Sequence, residues 1–148
     1  MKKYKMFIDE TILCHLNAPD KPNMTANTMH LWKQFQKDLY KIYLLHDTAQ
    51  THKAALSQIQ AELVTPHIGI LSLAERFVEL DIIEEKYMDD CINIASALVL
   101  ECDFFVSWNY KSIVNTKTIR GTKIIAMLED YKDIIICTPT MVSAMKQA

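Results

Sequence analysis

Residues 90–107 read DCINIASALVLECDFFVS and carry two periodicities back to back. Ile94, Ala95, Leu98 and Val99 recur at helical spacing, which predicts a helix over Tyr87–Glu101 with those four on its buried side. Asp103 then opens DFFVS, an aromatic and β-branched run that predicts a strand. A helix leading into an unbroken apolar strand is the pattern of a crossover unit, whose strand is covered on both faces.

The same alternation extends in both directions. Downstream, a helix is predicted over Lys117–Met127, then a strand over Asp133–Cys137 (DIIIC) before Thr138 and Pro139. Upstream, Ile70–Leu80 reads as a helix with Leu73, Phe77 and Leu80 inward. Ala49–Leu63 reads as another, with Ala54, Ala55, Ile59 and Leu63 as a narrow apolar face ended by Pro66. Ile42–Leu45 is a strand closed by His46 and Asp47. Before it lies a helix capped by Thr25 or Asn27, with Met29, Trp32, Phe35 and Leu39 as its apolar stripe. Asn17–Asn23 (NAPDKPN) is a loop, a helix runs from Glu10 towards Leu16, and Lys3–Ile8 is the first strand. Strands alternating with helices imply a central parallel sheet with helices on both faces, an α/β/α sandwich. With 148 residues, two glycines, four prolines and no linker, residues 1–148 are expected to form one domain.

Composition narrows the function. Half the residues are hydrophobic and the formal charge is −2, so no global basic field exists for gripping long nucleic acid, although contact with a short RNA stretch stays open. Cys14, Cys91, Cys102 and Cys137 include no CxxC pair, and the five histidines show no ligand spacing. Buried, reduced thiols are expected, and with them a cytoplasmic setting. The opening MKKYKMFIDE has too short an apolar run for a signal peptide, and no run is long enough for a membrane span.

In an open parallel sheet, ligands bind outside the carboxyl ends of the strands. Asp9 ends the first strand, Asp47 follows the second, Asp90 begins the helix leading into DFFVS, and Asn109 follows that strand, so all four are expected at that edge. Asp103 opens its strand at the opposite edge and is read as structural. Each acid alone could serve only a helix dipole. Two carboxylates about 4 Å apart, however, repel by roughly 4 kcal/mol at an effective dielectric of 20, so gathering them suggests a cation. Oxygen donors without thiolate suit Mg²⁺ or Mn²⁺.

The run DCINIASALVLECDFFVSWNYKSIVN (90–115) resembles the PIN-domain family, which includes the ribonuclease toxins of toxin–antitoxin pairs. Asp103, Val106, Ser107, Trp108, Asn109, Lys111, Ile113, Val114 and Asn115 fit a bacterial branch marked by a Ser-Trp-Asn motif. MFIDETIL (6–13) fits the family's opening strand, and EDYKDIIICTP (129–139) its closing one. The resemblance implies an α/β/α sandwich with an acidic Mg²⁺ or Mn²⁺ site that hydrolyses RNA. Asp9 and Asp90 carry over as the first and third acids and as metal ligands, and Asn109 stands at the position of the fourth, where its amide oxygen is expected to ligate or orient water. The second acid, a glutamate in the family, is missing from LLHDTAQTHKAAL (44–56), where Asp47 is the nearest carboxylate. Asn93 replaces a histidine common in the branch.

The expected function is thus a Mg²⁺-dependent endoribonuclease. Its expected partners are an RNA substrate, an antitoxin protein and a second copy of the chain. Lys111, Lys117, Arg120 and Lys123 would hold the RNA backbone, or else form a solvated helix face. Trp108 is read as a core wedge rather than a base-stacking platform. The alternative is a PIN-like domain that has lost catalysis and binds RNA or protein. A phosphate-binding or receiver-like domain fits poorly, since no Gly-rich loop follows the first strand and a receiver would want an aspartate ending the third strand and a lysine ending the fifth.

Overall fold

Phe7 and Phe105 lie side by side on neighbouring strands, their rings nearly parallel and their centroids 5.6 Å apart. They mark the centre of the sheet in a computed structural model that describes residues 2–146. Five strands, β1 (Tyr4–Ile8), β2 (Tyr40–Leu45), β3 (Ala61–Val64), β4 (Phe104–Val106) and β5 (Ile135–Cys137), run parallel in the order β3-β2-β1-β4-β5. The helices are α1 (Glu10–Cys14), α2 (Pro22–Gln36), α3 (His46–Gln50), α4 (Lys53–Leu56), α5 (Ile68–Glu79), α6 (Met88–Val99), α7 (Thr116–Leu128) and α8 (Pro139–Lys146). They cover both faces of the sheet, giving a three-layer α/β/α sandwich.

The period of two along β1 makes the two cores. Phe7 points to one face, among Phe77, Ile94, Ile113 and Ile125 of the α5–α6–α7 layer. Met6 and Ile8 point to the other, among Ile12, Leu31, Trp32, Phe35 and Val142 of the α1–α2–α8 layer. All three are fully buried, as a central parallel strand requires. Trp108 is buried in this second core and donates its indole N–H to Thr28 Oγ1 at 2.8 Å, which agrees with the wedge reading.

Several sequence expectations are corrected. Residues 49–63 are not one helix: the short helices α3 and α4 are followed by β3, a strand that the sequence reading omitted. As an edge strand, β3 leaves Glu62 and Leu63 exposed and lacks a continuous apolar run. The helix expected after Thr25 or Asn27 begins at Pro22, because proline needs no N–H partner in a first turn. Thr25 lies inside α2 and clasps both backbone groups of Ala18, and Asn27 bonds Asn23 O. Leu39 lies beyond the end of α2 and is exposed, as is Leu80 beyond α5. Helix α8 was not expected from the sequence.

With so few glycines, helix ends are built differently here. Asp38, Asp81, Glu101 and Asp130 follow the C-caps of α2, α5, α6 and α7, with φ of 56–61°. At the first three, paired backbone bonds close the turn, as in Glu101 N–H to Leu98 O and Cys102 N–H to Ala97 O. Asp103 follows, accepting Lys5 N–H at 2.8 Å and pairing with Lys132 at the edge remote from the carboxyl ends of the strands. Its structural reading fits this position. The edges of the sheet are short: β5 has three residues, and β3 has four, tied to β2 by a Lys41–Glu62 ion pair at 3.3 Å.

Two substitutions involving glycine should act in opposite directions. The left-handed conformation costs a non-glycine residue about 1–2 kcal/mol, and an acid at a helix C-terminus adds about 0.3–1 kcal/mol. Against these stands the greater freedom of glycine in the unfolded chain, about 0.4–1 kcal/mol. Glu101→Gly should therefore stabilise by about 1 kcal/mol. At Gly121 in α7, a Cβ would lie 2.5–2.8 Å from three carbons of Ile82. Overpacking of about 1–3 kcal/mol outweighs the helix preference of about 1 kcal/mol for alanine, so Gly121→Ala should destabilise. Urea unfolding midpoints check both signs.

Candidate active site

The register of β1 against β4 decides the site. Ile8 pairs with Val106, so the next residues, Asp9 and Ser107, emerge together at the carboxyl ends of the two central strands. This is where the strand order reverses, the place at which open α/β sheets leave a crevice. Asp9 has extended backbone (φ −108°, ψ −177°) and caps α1, its Oδ1 accepting Thr11 N–H at 3.0 Å. Thr11 Oγ1 also donates to Oδ1, at 2.5 Å, and Ser107 Oγ donates to Oδ2 at 2.6 Å. Both hydroxyls are themselves held: Trp108 N–H donates to Thr11 Oγ1 at 2.8 Å, and Asn109 N–H to Ser107 Oγ at 2.9 Å. The carboxylate is thereby fixed by three donors, and Asp9 is only 4% exposed.

Asp90 lies in the first turn of α6, half-buried, and accepts from Ser112 Oγ at 2.5 Å and Asn109 Nδ2 at 3.4 Å. Asp9, Asp90, Asn109 and Asp47 all line one cleft of about 490 Å³, with Glu10, Thr11, Thr48, Thr51 and Asn93. The four residues that the sequence placed at one edge are brought together. Asp47 comes from the first turn of α3, with its side chain fully exposed and His46 Nδ1 3.6 Å away.

The amide oxygen of Asn109 accepts Ser112 N–H at 3.1 Å, and its NH₂ group faces Asp90 at 3.4 Å, so it helps to position Asp90. Two expectations need correction. The four basic residues do not act as one group. Lys111 stands over the Tyr87 ring at 5.6 Å and shares with Lys117 a hollow of about 180 Å³ that touches the site through Ser112. Arg120 and Lys123 lie on the exposed side of α7 and line neither cavity. Cys14, expected to be buried, is exposed, whereas Cys91, Cys102 and Cys137 are buried with their thiols pushed up to about 12 by burial.

The sequence reading missed other contributors. Ser107 and Ser112 hold the two acids; the Asn-x-x-Ser spacing of 109–112, an asparagine turn, was the available signal for the second. Asn93 donates to Asp89 O, and its Oδ1 is buried without a partner among the described residues. Glu10 and Cys14 of α1 and the sequence-distant His52 bring one ligand atom each within 4.8 Å of one another. A larger cleft of about 610 Å³, lined by Tyr4, Leu39, Phe104, Ile135 and Met145, lies at the opposite edge. Asp103 and Lys132 in that cleft pair with each other in a salt bridge.

Burial pushes Asp9 up to about 6 against the bonds from Ser107 and Thr11, and the Asp90 charge adds to the rise. Burial also raises Asp90, with Asp89 adding to it and Ser112 opposing it. No helix among the described residues is long and apolar enough to cross a membrane. Comparison with protein-family models, with curated proteins and with solved structures gave no match to the chain.

The raised Asp9 value carries a sign. The native state holds a proton that the unfolded chain gives up near 3.8, so stability is full below that pH and is lost as pH rises through about 6. The loss is roughly 3 kcal/mol for this one group. Denaturant melts of metal-free protein between pH 4 and 7 should show the decline, and Asp9→Asn should flatten it.

Proposed function

We propose that the chain is a Mg²⁺- or Mn²⁺-dependent endoribonuclease of the PIN type, as its resemblance to that family suggests. The observation that carries this reading is the convergence of Asp9, Asp90 and Asp47 from three separate elements in one cleft at the switch point of the sheet. The donor set lining the cleft suits a hard cation: carboxylates and hydroxyls, with no thiolate or imidazole. Two carboxylates raised by burial are also groups that a bound cation would relieve.

Asp9 and Asp90 would hold the ion. When bound, it supplies charge neutralisation at the scissile phosphate and a more acidic water. The protein's own part is positioning. Thr11 and Ser107 fix Asp9, Ser112 and Asn109 fix Asp90, and Asp47 adds a third, more mobile carboxylate from α3. Lys111 and Lys117, next to the site through Ser112, would bind the phosphates of a short RNA. An antitoxin protein that masks the cleft, a second copy of the chain and a cytoplasmic setting belong to the same proposal.

A second reading, a PIN-like domain that binds RNA or protein without cleaving it, is favoured by one feature. The α3 wall contributes only Asp47, fully exposed, where the family has a glutamate. Both readings meet in one experiment. Asp90→Asn should reduce Mg²⁺-dependent cleavage of single-stranded RNA by at least about 100-fold, on the scale of losing a main electrostatic contributor, while the fold persists. Asp47→Asn should weaken Mg²⁺ binding and Thr51→Glu, which adds an acid to the same wall, should strengthen it. If wild-type protein cleaves no RNA at any Mg²⁺ or Mn²⁺ concentration and neither α3-wall variant shifts the titration, the binding-module reading replaces the nuclease.

A further inference from the structure

We propose that Glu10, Cys14 and His52 form a second metal site, chemically distinct from the acidic cleft, that takes a borderline ion of the Zn²⁺ class. Glu10 and Cys14 are four residues apart on α1 and so share a face of the helix. His52 follows α3 at the N-cap position of α4, and the turn after β2 brings it beside α1. One ligand atom from each lies within 4.8 Å of the others. His52 Nε2 and Glu10 Oε1 are 3.4 Å apart. Two ligands bound at about 2.0–2.1 Å with a tetrahedral angle are separated by about 3.3 Å, so this pair already has the spacing that Zn²⁺ requires. Small side-chain rotations bring the thiolate in, since Glu10 and Cys14 are exposed.

The donor chemistry selects the ion. Sulfur, imidazole and carboxylate together suit Zn²⁺ and its transition-metal neighbours and disfavour Mg²⁺. Three protein ligands in an exposed place leave a fourth position for water, the composition of an open zinc centre rather than a closed structural one. Cys14 is also the one exposed thiol of four, and the buried three cannot compete for the ion. An ion here joins α1, which Asp9 caps, to the segment after β2 that carries Asp47 and Thr51. The site is thus a clamp on the cleft wall, and it stands whether or not the cleft cleaves RNA.

Titration of the tag-free full chain with Co²⁺ tests the assignment. Wild-type protein should develop a thiolate-to-cobalt charge-transfer band in the near ultraviolet with the intense visible bands of four-coordinate cobalt. Cys14→Ser should lose the near-ultraviolet band. His52→Gln should weaken binding by more than the about 10–100-fold typical of losing an outer-shell partner. Asp90→Asn, in the other site, should leave the thiolate-to-cobalt band and its midpoint unchanged, which separates this proposal from the nuclease reading. A variant-free measurement accompanies it: a thiol reagent should modify Cys14 alone in native protein, and Zn²⁺ but not Mg²⁺ should slow that reaction. A wild-type cobalt spectrum without the thiolate band, or Cys14 labelling indifferent to Zn²⁺, overturns the site.

Discussion

One buried carboxylate fixes the geometry on which everything else at the functional edge depends. Asp9 ends β1, begins α1 and takes hydrogen bonds from Thr11 and from Ser107 of the neighbouring chain segment after β4. The hydroxyls that make those bonds each receive a backbone N–H from Trp108 or Asn109. The polar groups released where the central strand pair stops are therefore satisfied by one another, without a loop of glycines. The cost is a carboxylate in a dry place, visible in its value of about 6. Burial wins over three hydrogen bonds, so Asp9 holds its charge there only at a cost.

What could be read from the sequence follows burial. β1, β2 and β4 were legible because strands inside a parallel sheet are largely apolar, as in IYLL at 42–45, and the edge strand β5 was legible because DIIIC is almost as apolar. β3 was not, because AELV on an open edge is half-polar, and the residues around it imitate a helical face. The start of α2 was hidden by a proline that resembles loop chemistry and is in fact a first-turn residue. Helix ends were hidden for another reason: four of them stop on an acid in the left-handed conformation, where the expected signal is glycine.

The acids of the site were legible because topology alone sends Asp9, Asp47 and Asp90 to one edge. Their supports were not, since a serine that holds a carboxylate resembles any other serine until the fold brings Ser107 beside Asp9 and Ser112 beside Asp90. The Glu10–Cys14–His52 cluster shows the same limit more sharply. Its members are separated by 4 and 38 residues, a spacing that matches no ligand pattern, and only the return of the chain after β2 brings them together. The functional edge therefore presents two donor sets side by side, one all-oxygen and one containing sulfur and nitrogen, with Glu10 bordering both.

The sheet's margins restrict how this molecule can aggregate or polymerise. An exposed strand edge is a template for cross-β addition, and the template's strength grows with the number of free ladder groups it offers. β5 offers three residues and β3 four, and the latter carries Glu62 in ion-pair contact with Lys41. An incoming strand would find few ladder partners before the chain turns into a helix or loop. Runaway stacking of native molecules, the route to fibrils that long flat edges allow, is disfavoured by these short margins even though the interior strands are among the most apolar segments of the chain.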